Sequence, residues 1–138
     1  MITRETDYAV RAMMYLAIQD DYSVPVSSAD LSKAMDIPYR FFRKIVLKLT
    51  NAKLVISRRG KGGGLSLALE PDKITLLQIM RSVDPNGVIM NLCIDDKSNC
   101  ARSYFCGLHS ALSDVQNILD EKMGSITLLT MASGEKNK

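Results

Sequence analysis

Residues 27–69 decide the fold, and they read SSADLSKAMDIPYRFFRKIVLKLTNAKLVISRRGKGGGLSLAL. A serine N-cap, Ser27 or Ser28, predicts a short helix over 29–35, and the turn at 36–38 leads into a second helix that ends near Asn51. Two short helices joined by a tight turn, the second of them basic, predict a helix-turn-helix whose second helix enters the major groove of DNA. That helix is expected to bury Phe42, Ile45, Val46 and Leu49 and to expose Arg40, Arg43, Lys44 and Lys48.

The second half of the stretch predicts a β-hairpin. Residues 54–59 and 65–69 are typical of strands, and Gly60-Lys61-Gly62-Gly63-Gly64 lies between them. A glycine-rich loop can also hold a nucleotide, but this loop lacks a Gly-Lys-Ser/Thr ending and leads into a strand. Glycine removes side-chain bulk, so we expect the loop to approach a DNA surface while Arg58, Arg59 and Lys61 supply charge. A helix-turn-helix followed by a basic hairpin is a winged helix, for which we predict DNA binding.

The charge distribution favours the same function. The whole chain carries 18 basic and 15 acidic residues, and its net charge of +3 indicates no partner by itself. Residues 1–61 hold eleven basic and six acidic residues, and no acidic residue lies between Asp36 and Glu70. An acid-free run of cations attracts polyanions, because each neutralised phosphate releases condensed counterions. A solvated basic face is the alternative interpretation of the charge run alone.

Helical periodicity extends on both sides of this stretch. It predicts a helix over 3–19, a helix opened by a capping box at Thr75 and Gln78, and a long helix after Gly107. Apolar residues on the long helix form a seam that we interpret as a homodimer contact, with packing against its own domain as the alternative. The seam consists of Leu108, Leu112, Val115 and Leu119. The predicted fold class is mainly α with a small β-hairpin wing, a winged helix-turn-helix plus a long C-terminal dimerisation helix.

Four segments follow from this interpretation. Residues 1–84 are predicted to form the DNA-binding domain, 85–107 a cysteine-rich cluster-binding loop, 108–132 the dimerisation helix with the C-terminal segment, and 133–138 a disordered tail. Gly124 is expected to end the long helix.

No apolar stretch approaches the roughly 20 residues that span a bilayer, and the N-terminus has no signal-peptide pattern. We therefore expect a cytoplasmic protein without a membrane partner.

The three cysteines and the single histidine of the chain share one short window. Cys93, Cys100 and Cys106 are separated by six and five residues, and His109 follows three positions later. Thiolates with imidazole suit an iron–sulfur cluster or zinc. The spacing favours a cluster, because structural zinc sites usually contain a Cys-x-x-Cys pair, whereas free or redox-active thiols remain a third possibility. No nucleophile and base pair is recognisable, so we expect no enzymatic activity.

The chain resembles the Rrf2 family of winged helix-turn-helix transcriptional regulators over residues 1 to about 130. The resemblance implies a dimer that binds an operator with two half-sites on double-stranded DNA, usually as a repressor, under the control of an iron–sulfur cluster. The chain departs from the usual family pattern in two places: the second helix reads Phe41-Phe42-Arg43-Lys44 where some members have a glutamate–glutamine pair, and the first cysteine gap is one residue longer. The matching motifs are Tyr8-Ala9-Val10-Arg11-Ala12, Arg59-Gly60-Lys61-Gly62-Gly63-Gly64, Ile74-Thr75-Leu76, the cysteine triplet and Ser125-Ile126-Thr127-Leu128.

Site residues follow from the motifs and from the resemblance together. The resemblance implies Cys93, Cys100 and Cys106 as cluster ligands, with either His109 or Asp7 of the partner subunit as the fourth. We favour His109 and a 2Fe–2S cluster, because imidazole is the softer ligand, whereas Asp7 would favour a 4Fe–4S cluster. Residues near the helix-turn-helix and the wing are expected to contact bases, the minor groove and phosphate. They are Ser27, Ser28, Tyr39, Arg40, Arg43, Lys44, Arg58, Arg59, Gly60, Lys61, Gly62 and Gly63.

Overall fold

The computed structural model describes residues 2–136 and confirms a mainly helical fold with one two-stranded antiparallel hairpin. Three helices come first, α1, α2 and α3, followed by strands β1 and β2 and then by helices α4 to α7. The helices are α1 Arg4–Ala17, α2 Ser28–Ala34, α3 Tyr39–Asn51, α4 Leu76–Val83, α5 Leu92–Asp95, α6 Gly107–Ser125 and α7 Leu128–Lys136, and the strands are β1 Val55–Arg58 and β2 Gly64–Leu67.

The helix-turn-helix forms where residues 27–51 predict it. The Ser27 hydroxyl accepts the Asp30 amide at 3.4 Å, so Ser27 and not Ser28 caps α2. Asp36 adopts a left-handed conformation in the turn, and Ile37 is buried there with its amide bonded to the Ser32 carbonyl at 2.8 Å. Helix α3 begins one residue after Pro38, which is its N-cap residue. The apolar face of α3 packs on α1 through Phe42, Ile45 and Leu49, whereas Val46 is only partly buried.

The hairpin is attached to the helix-turn-helix by a third extended segment. Strands β1 and β2 pair from Val55 opposite Leu67 to Arg58 opposite Gly64. Val26, just before α2, exchanges two backbone hydrogen bonds of 2.7 Å with Leu65. This bridge ties β2 to the start of α2, so the wing and the helix-turn-helix are held together in one packed unit.

Helix α4 confirms the predicted capping box. The Thr75 hydroxyl accepts the Gln78 amide at 3.2 Å, and the Gln78 side chain accepts the Thr75 amide at 2.8 Å. Ile74 and Ile79 flank the cap and are both fully buried, as a hydrophobic staple requires. The cap therefore fixes where the chain leaves the wing and begins α4.

The C-terminal segment returns to the first helices. The Leu128 amide bonds the Ile74 carbonyl at 2.7 Å, and the Leu128 side chain lies fully buried in the core that contains α1. Two predictions are wrong here. Helix α7 continues to Lys136 where a disordered tail was expected from 133, because Leu128 and Ala132 bury one side of it; residues 137 and 138 lie outside the described residues. Gly124 lies within α6, which ends at Ser125.

None of the helices in the described residues 2–136 is long and apolar enough to cross a membrane.

Candidate DNA interface and cysteine segment

The exposed face of α3 presents a cluster of cations beside the wing. Arg40, Arg43 and Lys44 are all exposed, and they line a groove of about 580 Å³ between α3 and β1. Arg40 also stacks over the Phe41 ring at 4.8 Å, which holds its guanidinium close to the start of the helix. The remaining lining residues of the groove are Val46, Leu47, Thr50 and Ser57. This surface has the shape and charge that a recognition helix needs.

Lys48 is not part of that surface, which corrects the sequence-based assignment. Its ammonium group donates to Glu5 Oε1 at 2.7 Å and to the Val83 carbonyl at 2.9 Å. Glu5 lies in the first turn of α1, and Val83 is the last residue of α4. Lys48 therefore connects three helices inside the winged helix, and periodicity alone could not separate it from Lys44, one helical turn earlier.

The wing places its charged and glycine residues at the tip of the hairpin. Gly60 and Gly62 have φ of 91° and 80°, with open space around them, so they suit close approach to another molecule. A Cβ atom at Gly63 would lie 2.3 Å from the Arg58 carbonyl oxygen, and one at Gly64 would lie 2.4 Å from that of Val26. The hairpin's own backbone thus requires these last two glycines, whichever surface the wing approaches.

Ser27 and Ser28 lie at the first turn of α2, and Tyr39 opens α3 with its side chain exposed. Arg58, Arg59 and Lys61 are exposed along the wing. The structure thus brings the predicted DNA contacts to the helix-turn-helix and the wing. Phe41 is exposed beside Arg40 and was not among them, and its apolar character gave no signal of this position.

The cysteine segment, residues 91–106, consists of α5, a single turn of 3-10 helix at Lys97–Asn99 and turns. All three cysteines are free thiols; Cys93 is buried, whereas Cys100 and Cys106 are partly exposed. The segment is held by its own hydrogen bonds, such as the 2.9 Å bond from the Ser103 hydroxyl to the Lys97 carbonyl. Cys106 is the N-cap residue of α6, so the segment is joined directly to the long helix.

His109 is the unusual residue of this region. It lies in the first turn of α6 and is buried, yet its Nδ1 atom has no hydrogen-bond partner among the described residues. An open groove of about 540 Å³ is lined by ten residues, which include both His109 and Cys106. Buried polar atoms are nearly always satisfied, so a buried imidazole nitrogen without a partner, in a groove that a cysteine also lines, is consistent with a ligand for a soft metal.

Within residues 2–136, however, no three His, Cys, Asp or Glu side chains already converge as a metal-binding group. The donor set still fits an iron–sulfur cluster in its chemistry, because three free thiols and one unpaired imidazole lie within residues 93–109. Asp7, the alternative ligand, lies on α1 and forms a 2.5 Å ion pair with Arg11. The carboxylate is partly exposed in that pair, at the edge of a groove of about 460 Å³ between α1 and α2.

Two aromatic side chains of the cysteine segment escaped the sequence analysis. Tyr104 and Phe105 are 78% and 73% exposed immediately before Cys106. Cations lie over both rings: Lys97 is 6.0 Å from the centre of Tyr104, and Arg102 is 5.7 Å from that of Phe105.

The pKa of Asp96, in the same segment, is lowered by the hydrogen bond from the Ser98 hydroxyl and, to a smaller extent, by the one from the Ser98 amide.

A buried amide connects the cysteine segment to the long helix. Gln116 of α6 accepts the Met90 amide at 2.8 Å and donates to the Val88 carbonyl at 2.8 Å and to Asp120 at 2.8 Å. Asp120 in turn forms a 2.8 Å ion pair with Arg81 of α4. This network fixes the chain between α4 and α5 onto α6. It includes no cysteine, and a lone glutamine on a helix gave no sequence signal for it.

The predicted seam of α6 is largely exposed. Leu108, Val115 and Leu119 are exposed and Leu112 is partly buried, so the seam does not pack into the interior of its own chain. Ile118, which the heptad spacing missed, is exposed by 66%. Apolar side chains at this density on one helix indicate a contact surface.

Comparisons with known proteins agree with the winged-helix fold and with a role in transcriptional regulation. The sequence profile described as Rrf2, iron-dependent transcriptional regulator, matches residues 2–134. The chain is 26% identical over 132 residues to the transcriptional repressor NsrR of Streptomyces coelicolor, covering 96% of this chain and 88% of the relative. It is 32% identical over 127 residues to the transcriptional regulator IscR of Aliivibrio salmonicida, covering 92% and 74%.

Solved structures show the same similarity in three dimensions. The cysteine regulator CymR of B. subtilis aligns with a TM-score of 0.73 at 26% identity, covering 96% of both chains. IscR of T. potens aligns with a TM-score of 0.77 at 25% identity, covering 99% of this chain and 89% of the other. The likeness thus extends over both the winged helix and the segments that follow it.

Proposed function

The chain belongs to the Rrf2 family of transcriptional regulators, and we propose that it is a homodimeric DNA-binding repressor controlled by an iron–sulfur cluster or redox state sensed through Cys93, Cys100 and Cys106. The family consists of transcriptional regulators and not of enzymes, and its members bind DNA. The operator with two half-sites, the cluster and the repressing action are parts of the proposal.

The DNA-binding part rests on the face that α3 and the wing share. Arg43 and Lys44 are expected to contact base edges in the major groove, with Tyr39 and Arg40 at the helix start. Arg59 and the tip glycines would approach the minor groove, where narrow A·T tracts attract arginine. Ser27 and Ser28 would contact a phosphate.

The sensing part rests on one observation above all, the buried and unpaired Nδ1 atom of His109, a residue that lines the same groove as Cys106. Cys93, Cys100, Cys106 and His109 would hold a 2Fe–2S cluster; with Asp7 of the partner subunit as fourth ligand, a 4Fe–4S cluster is the alternative. When bound, such a cluster would supply a redox-sensitive cross-link between its ligands.

The chain's own contacts provide a path from the segment to the DNA-binding face. Cys106 begins α6, Gln116 of α6 binds the chain at 88–90, and Asp120 is paired with Arg81 of α4. The last carbonyl of α4, at Val83, accepts a hydrogen bond from Lys48 of α3. We propose that ordering or release of the cysteine segment shifts α6 and α4, and thereby changes the spacing of the two recognition helices.

The test is purification under anaerobic conditions, followed by iron, sulfide and visible absorption measurements and by DNA binding before and after oxidation. Wild-type protein is expected to contain iron and sulfide and to change its DNA affinity when they are lost. Cys100→Ala is expected to contain neither and to bind DNA in one state only, with unchanged circular dichroism. Ser98→Ala, in the same segment, is the matched control. A Cys100→Ala response identical to that of the wild type would refute the sensing role.

A zinc- or thiol-dependent regulator without a cluster is the second candidate. The partial exposure of Cys100 and Cys106 favours it, because reactive thiols need access to their oxidant. A colourless protein that contains zinc, or one whose DNA affinity follows the number of reduced thiols, would support this candidate instead.

A further inference from the structure

Leu47 is an exposed apolar residue in the middle of the basic face. Its side chain is 62% exposed, and it lines the groove between α3 and β1 together with Arg43 and Lys44. Residues three and four positions apart share one face of a helix, so Leu47 follows these two cations on the same side of α3. Its neighbour Lys48 turns away to Glu5 and Val83. Leu47 is therefore the side chain that continues the DNA-facing surface beyond the cations.

The chemistry of DNA restricts what this leucine can contact. Phosphates, sugars and base edges offer charges, donors and acceptors, and the C5-methyl group of thymine is the apolar group of the major groove. Val46, which is partly buried, lines the same groove, so two apolar side chains lie there among the cations and the hydroxyl residues Thr50 and Ser57. The cations favour a polyanion as the occupant of this groove, and the exposed apolar side chain of Leu47 favours a methyl group of that polyanion.

We propose that Leu47 contacts the C5-methyl group of a thymine and so makes the protein select A·T at that base pair. The proposal rests on the proposed DNA-binding function and deepens it. A helix rises about 1.5 Å per residue, so Leu47 lies about 6 Å along α3 from Arg43. Base pairs are about 3.4 Å apart, which places the thymine one or two base pairs from the pair that Arg43 or Lys44 contacts.

The experiment uses the full chain, purified anaerobically, to select duplexes from a random DNA pool. Each thymine of the selected site is then replaced by uracil, which removes only the methyl group. One thymine in each half-site is expected to lower the affinity about fourfold when replaced, which corresponds to about 0.8 kcal/mol for one buried methyl group. Leu47→Ala is expected to abolish this difference, and Leu47→Met to keep most of it.

Two controls separate a methyl contact from general effects. Leu129→Ala truncates a leucine that is also exposed, on α7, and is expected to retain the full uracil sensitivity. Leu47→Ala should leave the salt dependence of binding unchanged, whereas Lys61→Ala, which removes an exposed charge of the wing, should reduce its slope by about one.

The outcomes distinguish the inference from the function on which it rests. If the chain selects no duplex in either its reduced or its oxidised form, both the proposed function and this inference fail. If it selects a site but no thymine shows a uracil effect, or Leu47→Ala keeps the effect, the DNA-binding function stands and the role of Leu47 is overturned.

Discussion

Lys44 and Lys48 carry the same charge and lie on the same helix, but their surroundings give them different roles. Lys44 is exposed on the DNA-facing side of α3, whereas the Lys48 ammonium group is bonded to Glu5 and to the Val83 carbonyl. We predict that Lys48→Met lowers the free energy of unfolding by about 1 kcal/mol, since a half-exposed ion pair and one hydrogen bond are lost. Urea denaturation monitored by circular dichroism measures this change.

The matched variant Lys44→Met is expected to keep the wild-type denaturation midpoint and to bind the selected site more weakly, with less preference over other sequences. Equal midpoints for Lys48→Met and wild type would contradict the structural role of Lys48. Loss of stability in Lys44→Met would contradict its placement on the open face.

Gly64 and Gly62 differ in what an added methyl group would meet. At Gly64 a Cβ atom would clash with the Val26 backbone, and φ is 143°; at Gly62 φ is 80° but nothing lies within 4 Å. We predict that Gly64→Ala costs at least about 2 kcal/mol, because the bridge between Val26 and Leu65 must open, and that Gly62→Ala costs about 1 kcal/mol. Thermal denaturation of both variants checks the order, and a reversed order would refute the steric explanation.

At the scale of elements, Gln116 joins the cysteine segment to α6. Replacing it by leucine removes the bonds to the Met90 amide and the Val88 carbonyl and leaves these backbone groups unpaired. We predict that Gln116→Leu lowers the free energy of unfolding by about 2 kcal/mol. Amide hydrogen exchange is expected to rise at residues 88–96 in particular. Asn117→Ala, at an exposed position of the same helix, is the control and should change neither.

A uniform increase in exchange over the whole chain would show that Gln116 supports global stability without fixing the segment. An unchanged exchange rate at residues 88–96 would show that the segment is held by its internal hydrogen bonds alone.

The elements that the sequence could predict are those governed by local chemistry. The cap at Thr75 and Gln78 and the period of α3 depend on residues within a few positions of one another, and both are confirmed. Lys48 and Gln116 depend instead on partners more than 25 positions away, so no local pattern reveals their roles. Heptad spacing predicts only part of the apolar surface that α6 exposes, because it does not include Ile118, which lies beside Leu119.

The cysteine segment shows the same limit for the candidate site. Cysteine spacing could identify which residues share a window, but the burial of His109 with an unpaired Nδ1 depends on the packing of α5 and α6.

Residues 133–136 illustrate the opposite error. Their polar composition predicts disorder, but α7 is anchored through the buried Leu128 and Ala132 and continues to Lys136.

At the scale of the whole molecule, α3 with the wing and α6 present surfaces of different chemistry. Exposed cations lie on α3 and the wing, and α6 exposes the apolar residues Leu108, Val115, Ile118 and Leu119. A repressor that contacts two half-sites needs both surfaces, because one recognition helix contacts only one half-site. We therefore expect the protein to be a dimer of about twice 15.3 kDa.

The dimer can be tested by placing charge on the apolar residues that α6 exposes. Val115→Glu combined with Ile118→Glu is expected to weaken self-association at least a hundredfold, because two carboxylates would be buried without partners. Sedimentation equilibrium should then give a mass near 15.3 kDa, and binding to a two-half-site duplex should weaken while binding to a single half-site does not. Leu129→Glu, which charges an exposed leucine on α7, should leave the mass and the binding unchanged. A double variant that keeps the wild-type mass would show that α6 is not the dimer contact, and the exposed apolar residues of α6 would then need another partner.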